Sequence, residues 1–282
     1  MDMDLSLNRH AAALLSRVRD RSPLVHNITN YVVMNSSANI LLAVGASPVM
    51  AHSRAEVADM VAISQALVLN IGTLDRAWLE AMLIAGKAAG DKNIPVVLDP
   101  VGAGATPFRT DAVRRILETC SVSVLRGNPS EILSVAGAAA ATRGVDSSMA
   151  FDESNIGAVE ELSRDLGCVV AVSGKTDCIT DGTNTWLVRN GHPLMTRITG
   201  LGCGLSALSA AFCAVAEETS LAAAVASAFG FYGLCGEKAA AVSQRPGTFE
   251  TAFIDHLASE TGDVFNWKGY WVFRKPSPMN VK

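Results

Sequence analysis

Short apolar runs alternate with helical patterns over much of the chain, and this alternation restricts the fold more than any other feature. "PLVHNIT" (23–29) reads as a strand, followed by a helix from about Tyr31 to Val44. "ASPVMA" is a short extended piece, and Arg54 to Gln65 is helical. "ALVLNIG" (66–72) reads as a buried strand before a helix from Leu74 to Gly90. "IPVVLDPVGAG" (94–104) is a further strand ending in glycines, with a helix around Thr110 to Thr119. "SVSVLRGN" (121–128) leads into a helix opening at Pro129, and "VEELSRDLG" closes a helix before the strand "CVVAVSG" (168–174). Strands separated by helices in this order predict a doubly wound, mainly parallel α/β sheet flanked by helices.

The pattern then changes. "CITDGTNTWLVRNG" (178–191) has Asp181-Gly182 between two β-prone runs, which predicts a hairpin at the sheet edge. Beyond it the chain reads as almost wholly helical to Leu257. Neither an internal repeat nor a linker divides the 282 residues, so 1–282 is read as a single domain, with "AGAAAATRGVDSS" (136–148) as a mobile loop inside it.

Charge narrows the partners. With 23 Lys and Arg against 27 Asp and Glu, the net charge of −4 argues against nucleic acid or an anionic membrane. The apolar stretches Ile198 to Ala216 and Leu221 to Gly236 are rich in Gly, Ala and Ser and are separated by Glu217 and Glu218, so they read as buried helices rather than membrane spans. The N-terminus starts acidic and becomes an amphipathic helix, unlike a secretory signal. The six cysteines have neither C-x-x-C nor framework spacing and are expected as reduced thiols in the cytoplasm.

In open α/β sheets ligands collect beyond the carboxyl ends of the strands. The polar residues there are Asn27 and Asn30; Asn70; Asp99; Arg126 with Asn128 and Glu131; and Ser173. Asp99-Pro100 serves equally as a turn, Asn128-x-x-Glu131 equally as a helix capping box, and Lys175 as a solvated loop residue. Arg126, a cation at the end of a buried strand, calls for an anion. "ITGLGCGLSAL" (198–208) brings Gly200, Gly202 and Gly204 to the start of a helix, where backbone N–H groups suit an anion, with Cys203 at the mouth. Neither G-x-G-x-x-G after the first strand nor G-x-x-x-x-G-K-[ST] occurs, which leaves a dinucleotide fold and a P-loop unsupported. Taken alone, the glycine turn also fits tight packing with a small buried Cys203, an acyl-transfer site with Cys203 as nucleophile, or a non-catalytic nucleotide sensor.

Ordered motifs then add to this reading: "SPLVHNITNYVV", "LLAVGASPVM", "LVLNIGTL", "VVLDPVGAGAT", "LRGNPSEI", "RGVDS", "AVSGKTDCITDG", "ITGLGCGLSAL" and "RPGTF". In these, the chain resembles the hydroxyethylthiazole kinases of the ribokinase-like superfamily over essentially its whole length. The resemblance implies ATP-dependent phosphorylation of the hydroxyl of 4-methyl-5-(2-hydroxyethyl)thiazole, Mg²⁺, and a homotrimer with sites at subunit interfaces. It implies thiazole contacts at Met50 and Gly200, with Asn30 beside them, and ATP contacts at Arg126 and Ser173. It further implies that Asp99 and Glu131 organise Mg²⁺ and phosphate oxygens, and that Gly202 and Cys203 belong to the catalytic turn. Cys203 stands where other ribokinase-like enzymes carry an Asp base, and a helix N-terminus is expected to lower its thiol pKa. Ser173 replaces the more usual Thr, and Leu201 a small polar residue.

Overall fold

The computed structural model describes residues 2–140, 155–217, 219–262 and 271–274. One sheet holds all nine described strands, in the order β2-β1-β3-β4-β5-β6-β7-β8-β9. Strands β1 (Leu24–Ile28), β2 (Ser47–Val49), β3 (Ala66–Asn70), β4 (Val96–Asp99), β5 (Val124–Gly127) and β6 (Val169–Val172) run parallel. Strands β7 (Asp177–Thr180), β8 (Thr185–Val188) and β9 (Trp271–Arg274) extend the sheet antiparallel. The hairpin is therefore β7–β8 as expected, but β9 pairs with β8, so the hairpin is not the sheet edge; β9 comes from Trp271–Arg274, beyond the helical run.

Both faces of the sheet are covered, which is why the parallel strands are continuous apolar runs. Along β3 the period of two sends Ala66 and Val68 to one core and Leu67 and Leu69 to the other. On the first face lie α1 (Asp2–Arg21), α2 (Met34–Val44), α8 (Leu201–Cys213), α9 (Leu221–Val242) and α10 (Pro246–Ser259). On the second lie α4 (Arg76–Lys92), α5 (Pro107–Thr119), α6 (Pro129–Ala140) and α7 (Ile156–Leu166), with Val57 and Val61 of α3 (Val57–Ile63). The two charge-poor stretches are α8 and α9, buried side by side; among the described residues no helix is long and apolar enough to cross a membrane.

Local chemistry moves several boundaries. The helix expected from Tyr31 begins at Met34, because Asn30 Oδ1 accepts the Val32 N–H and Asn30 O that of Val33. The helix expected near Thr110 begins at Pro107, capped by Thr106, with proline at the first position where no N–H is needed. Residues 136–140 of the expected loop continue α6, since alanines favour helix; 141–148, including all of "RGVDS" (143–147), lie outside the described residues.

Strand β2 flanks β1 on one side and β3 on the other, so the chain turns in opposite directions from β1. The crevice beyond the carboxyl ends of β1 and β3 is the point at which an open sheet admits a ligand.

Candidate active site

At that crevice four strand ends and one helix meet. Asn30, just beyond β1, donates from Nδ2 to Asn70 Oδ1 at 2.8 Å, and Asn70 Nδ2 donates in turn to Asp99 Oδ2 at 2.8 Å. Ser206 Oγ, from α8, donates to the same Asp99 oxygen at 2.8 Å. Arg126 Nη1 lies 3.8 Å from that oxygen, an ion pair too long for a hydrogen bond. The row ends at Cys203, whose Sγ is 3.6 Å from Asn30 Nδ2. Asn30, Asn70, Asp99 and Arg126 are all buried.

The three glycines of the turn have separate duties. Gly200 takes φ +86°, a left-handed conformation that a side chain would strain, and opens α8. Gly204 is already inside the helix, its N–H bonded to Gly200 O at 2.8 Å. Its missing side chain admits α2 and α9, since a Cβ there would lie 2.2 Å from Ile40 Cδ1 and 2.9 Å from Tyr232 Oη. The free first-turn amides are thus those of Leu201, Gly202 and Cys203. The expected anion-holding turn is narrower than 200–204 because its last glycine serves packing. Leu201 is buried, and its carbonyl accepts the Tyr232 hydroxyl at 2.8 Å, which fixes the turn from behind.

Arg126 links this turn to a neighbouring cavity of about 550 Å³. Its Nη1 donates to Gly202 O at 2.9 Å and its Nη2 to Ser173 Oγ at 2.8 Å, while its buried Nε has no partner. Ser173, Gly202, Lys175 and Phe229 also line the cavity, which therefore joins a cationic, amide-rich wall to an apolar one. Lys175 is exposed at its rim, solvated as expected and still facing the cavity.

Glu131 realises the capping-box reading and exceeds it. Glu131 N–H donates to Asn128 Oδ1 at 3.0 Å, and Glu131 Oε2 accepts the Asn128 N–H at 2.8 Å. Glu131 Oε1 also accepts the Gly102 N–H at 2.9 Å, tying the loop after β4 to the start of α6. Arg109 holds the same loop from below, donating to Ile71 O at 2.8 Å and to the carbonyls of Gly72 and Val101.

Electrostatics corrects one expectation. Burial pushes the Cys203 thiol up to about 11, with the Asp99 charge adding to it and the Asn70, Arg126 and Asn30 contacts opposing. Desolvation is the largest cause, and the sulfur is a thiol near neutral pH. Burial likewise raises the Asp99 carboxyl, against the pull of Arg126, Ser206 and Asn70. None of the six cysteines is in a disulfide.

Among the expected site residues, the structure brings together Asn30, Asp99, Arg126, Ser173, Gly202 and Cys203. Gly200 adjoins Val33 and Ser36 at the start of α2. Met50 follows β2, half-buried, near the loop where His26 Nε2 meets Ala51 O at 2.8 Å. His26, His52 and His192 bond to Ala51 O, Met50 O and Leu194 N rather than to Cys203, so none pairs with the sulfur as a nucleophile's base would. Ser206 and Arg109 were not singled out from sequence: Ser206 reads as one small residue of an apolar helix, and Arg109 as surface charge on an amphipathic one.

The Hydroxyethylthiazole kinase family matches residues 15–262. The hydroxyethylthiazole kinase of Moorella thermoacetica is 49% identical over 259 residues, covering 92% of this chain and 96% of the relative. That of Nitratidesulfovibrio vulgaris strain DP4 is 52% identical over 245 residues, covering 87% and 91%. The solved structure of the hydroxyethylthiazole kinase protein from Pyrococcus horikoshii OT3 aligns with a TM-score of 0.85 at 40% identity, covering 95% of this chain and all of that one. A ribokinase-like superfamily protein from Enterococcus faecalis V583, at 13% identity and a TM-score of 0.60, shares the fold.

Proposed function

The chain belongs to the hydroxyethylthiazole kinase family, and from that premise we propose that it transfers the γ-phosphoryl of ATP to the hydroxyl of 4-methyl-5-(2-hydroxyethyl)thiazole at the head of α8. One observation carries this reading. The first-turn amides of α8 lie between the Arg126–Ser173 cavity and the Asn30–Cys203 contact, so a phosphoryl held there has a nucleotide site on one side and an acceptor site on the other.

Arg126 and Ser173 hold the triphosphate, and the amides of Leu201, Gly202 and Cys203 face the charge that builds on the moving phosphoryl. Met50, Gly200 and Asn30 flank the acceptor. Phosphoryl transfer passes through a loose transition state, so the hydroxyl proton leaves late and positioning outweighs basicity. Cys203 accordingly stands in the place of a base while acting as a poor one: its sulfur orients the hydroxyl, and its high pKa leaves little thiolate to take the proton.

Mg²⁺ fits the residues present. Asp99 and Glu131 supply hard oxygen donors, and Glu131 raises the Asp99 pKa, as two carboxylates in electrostatic reach of each other do. Among the described residues no group of three or more His, Cys, Asp or Glu forms a closed metal cage. That suits an ion held mainly by phosphate oxygens and water. Asp99 and Glu131 would hold it, and when bound it neutralises charge on the phosphates.

We further read 1–282 as one domain, placed in the cytoplasm in keeping with cysteines that form no disulfide. We also read it as a homotrimer that covers Tyr31 and Val32, beside the acceptor-side residue Asn30, and Leu42 near the end of α2, apolar side chains 60–64% exposed. A coupled ADP-release assay with the thiazole alcohol and a panel of other small alcohols tests the function; turnover with another alcohol and none with the thiazole overturns it. Light scattering tests the assembly, and a monomer at assay concentration removes the trimer.

A further inference from the structure

A carboxylate also lines the cavity in which the triphosphate is placed. Asp177 opens β7, is partly buried in the cavity wall, and accepts the Gly174 N–H on Oδ1 at 2.8 Å. Gly174 lies between Ser173, which receives Arg126, and Lys175 at the cavity rim. Asp177 therefore closes the turn that carries two of the cavity's polar contacts, while adding a negative charge where a polyanion is to bind.

We infer that Asp177 is a positioning residue that holds the Ser173–Lys175 turn for the nucleotide and ties ATP binding to the uptake of one proton from solvent; this rests on the nucleotide reading of the cavity. Arg126 from β5 acts on the carboxylate, and Lys175, His192 and Tyr232 line the same cavity. Arg189, which follows the cross-strand partner Val188, is exposed. Phosphate oxygens that engage Arg126 occupy the cation that favours ionised Asp177 and add negative charge beside it. The neutral carboxyl keeps its carbonyl oxygen for the Gly174 N–H and no longer repels the triphosphate.

Desolvation by burial pushes this carboxyl up to about 7, opposed by the Gly174 hydrogen bond and Arg126. A nucleotide that selects the protonated form binds best below that value and weakens above it. In the limit where only that form binds, affinity falls by about eightfold from pH 6.5 to pH 8.

The test is calorimetric titration of full-length protein with AMP-PNP at saturating Mg²⁺, from pH 6.5 to 8.5, in two buffers of different ionisation enthalpy. The expected result is weakening with pH and proton uptake in the wild type, and neither in Asp177→Asn, which keeps the acceptor for Gly174. Asp177→Ala, which releases the turn, weakens binding at every pH and raises the KM for ATP more than it lowers kcat. If Arg126→Ala weakens binding but Asp177→Asn keeps the wild-type pH slope, the Asp177 coupling alone is overturned. If Arg126→Ala leaves analogue affinity unmoved, the nucleotide reading of the cavity falls and this inference with it.

Discussion

Replacing Cys203 separates two accounts of where the acceptor's proton goes. With the thiol pushed up to about 11, only about one molecule in 3,000 carries a thiolate at pH 7.5. A well-placed general base is worth roughly 10²–10⁴-fold, so a base present in that fraction supplies at most about threefold. Cys203→Ala should therefore lower kcat by less than about tenfold, the loss coming from acceptor orientation. Cys203→Asp should keep or raise kcat. A carboxylate starts near pKa ~3.9, and even a rise of about three units leaves most of it ionised at pH 7.5. The assay is ADP release at saturating ATP and alcohol from pH 6.5 to 9.5, so that any nucleotide-binding titration drops out of kcat. The wild-type profile should stay flat between pH 7.5 and 9, parallel to that of the alanine variant. A wild-type kcat that climbs about tenfold per pH unit, with the climb lost in Cys203→Ala, would make the thiolate the base and refute this reasoning. So would abolished turnover in Cys203→Ala together with a trapped covalent thiol adduct.

Gly204→Ala drives a methyl into Ile40 and should cost roughly 1–3 kcal/mol in urea unfolding. Ile40→Val removes the clashing Cδ1, so the double variant should recover most of that loss, whereas simple additivity would show that the helices do not meet there. Glu131→Ala strips an acceptor from the Gly102 and Asn128 amides and should raise the Mg²⁺ concentration for half-maximal activity roughly 10-fold. An unchanged Mg²⁺ requirement would remove Glu131 from the metal site. Ser173→Ala leaves Arg126 Nη2 without its partner and should raise the KM for ATP roughly 5-fold with little change in kcat; an unmoved KM would detach that pair from the nucleotide.

The sheet was legible because its parallel strands are buried on both faces and its helices have a different period, so the alternation survives in the sequence. Strand β9 was not, since Trp271–Arg274 is four residues long, remote from β8 in sequence, and gains its pairing only across the sheet. Asp99, Arg126 and Asn30 were legible as polar residues at the ends of apolar runs. What joins them was not: nothing local in "LSALSAA" says that Ser206 reaches back to Asp99, 107 positions away. The thiol's pKa failed for a related reason. A helix end is visible in sequence, whereas the burial and the Asp99 charge that raise the thiol pKa exist only after folding.

The asparagine row has a direction. Every partner hydrogen-bonded to Asp99 Oδ2 is a donor, so Asn70 must turn its NH₂ toward Asp99 and its oxygen toward Asn30. Asn30 in turn must present NH₂ to that oxygen and to the sulfur. Reversing either amide would set oxygen against oxygen at one joint. The polarity of the surface offered to the proposed acceptor is therefore dictated two side chains away, by Asp99.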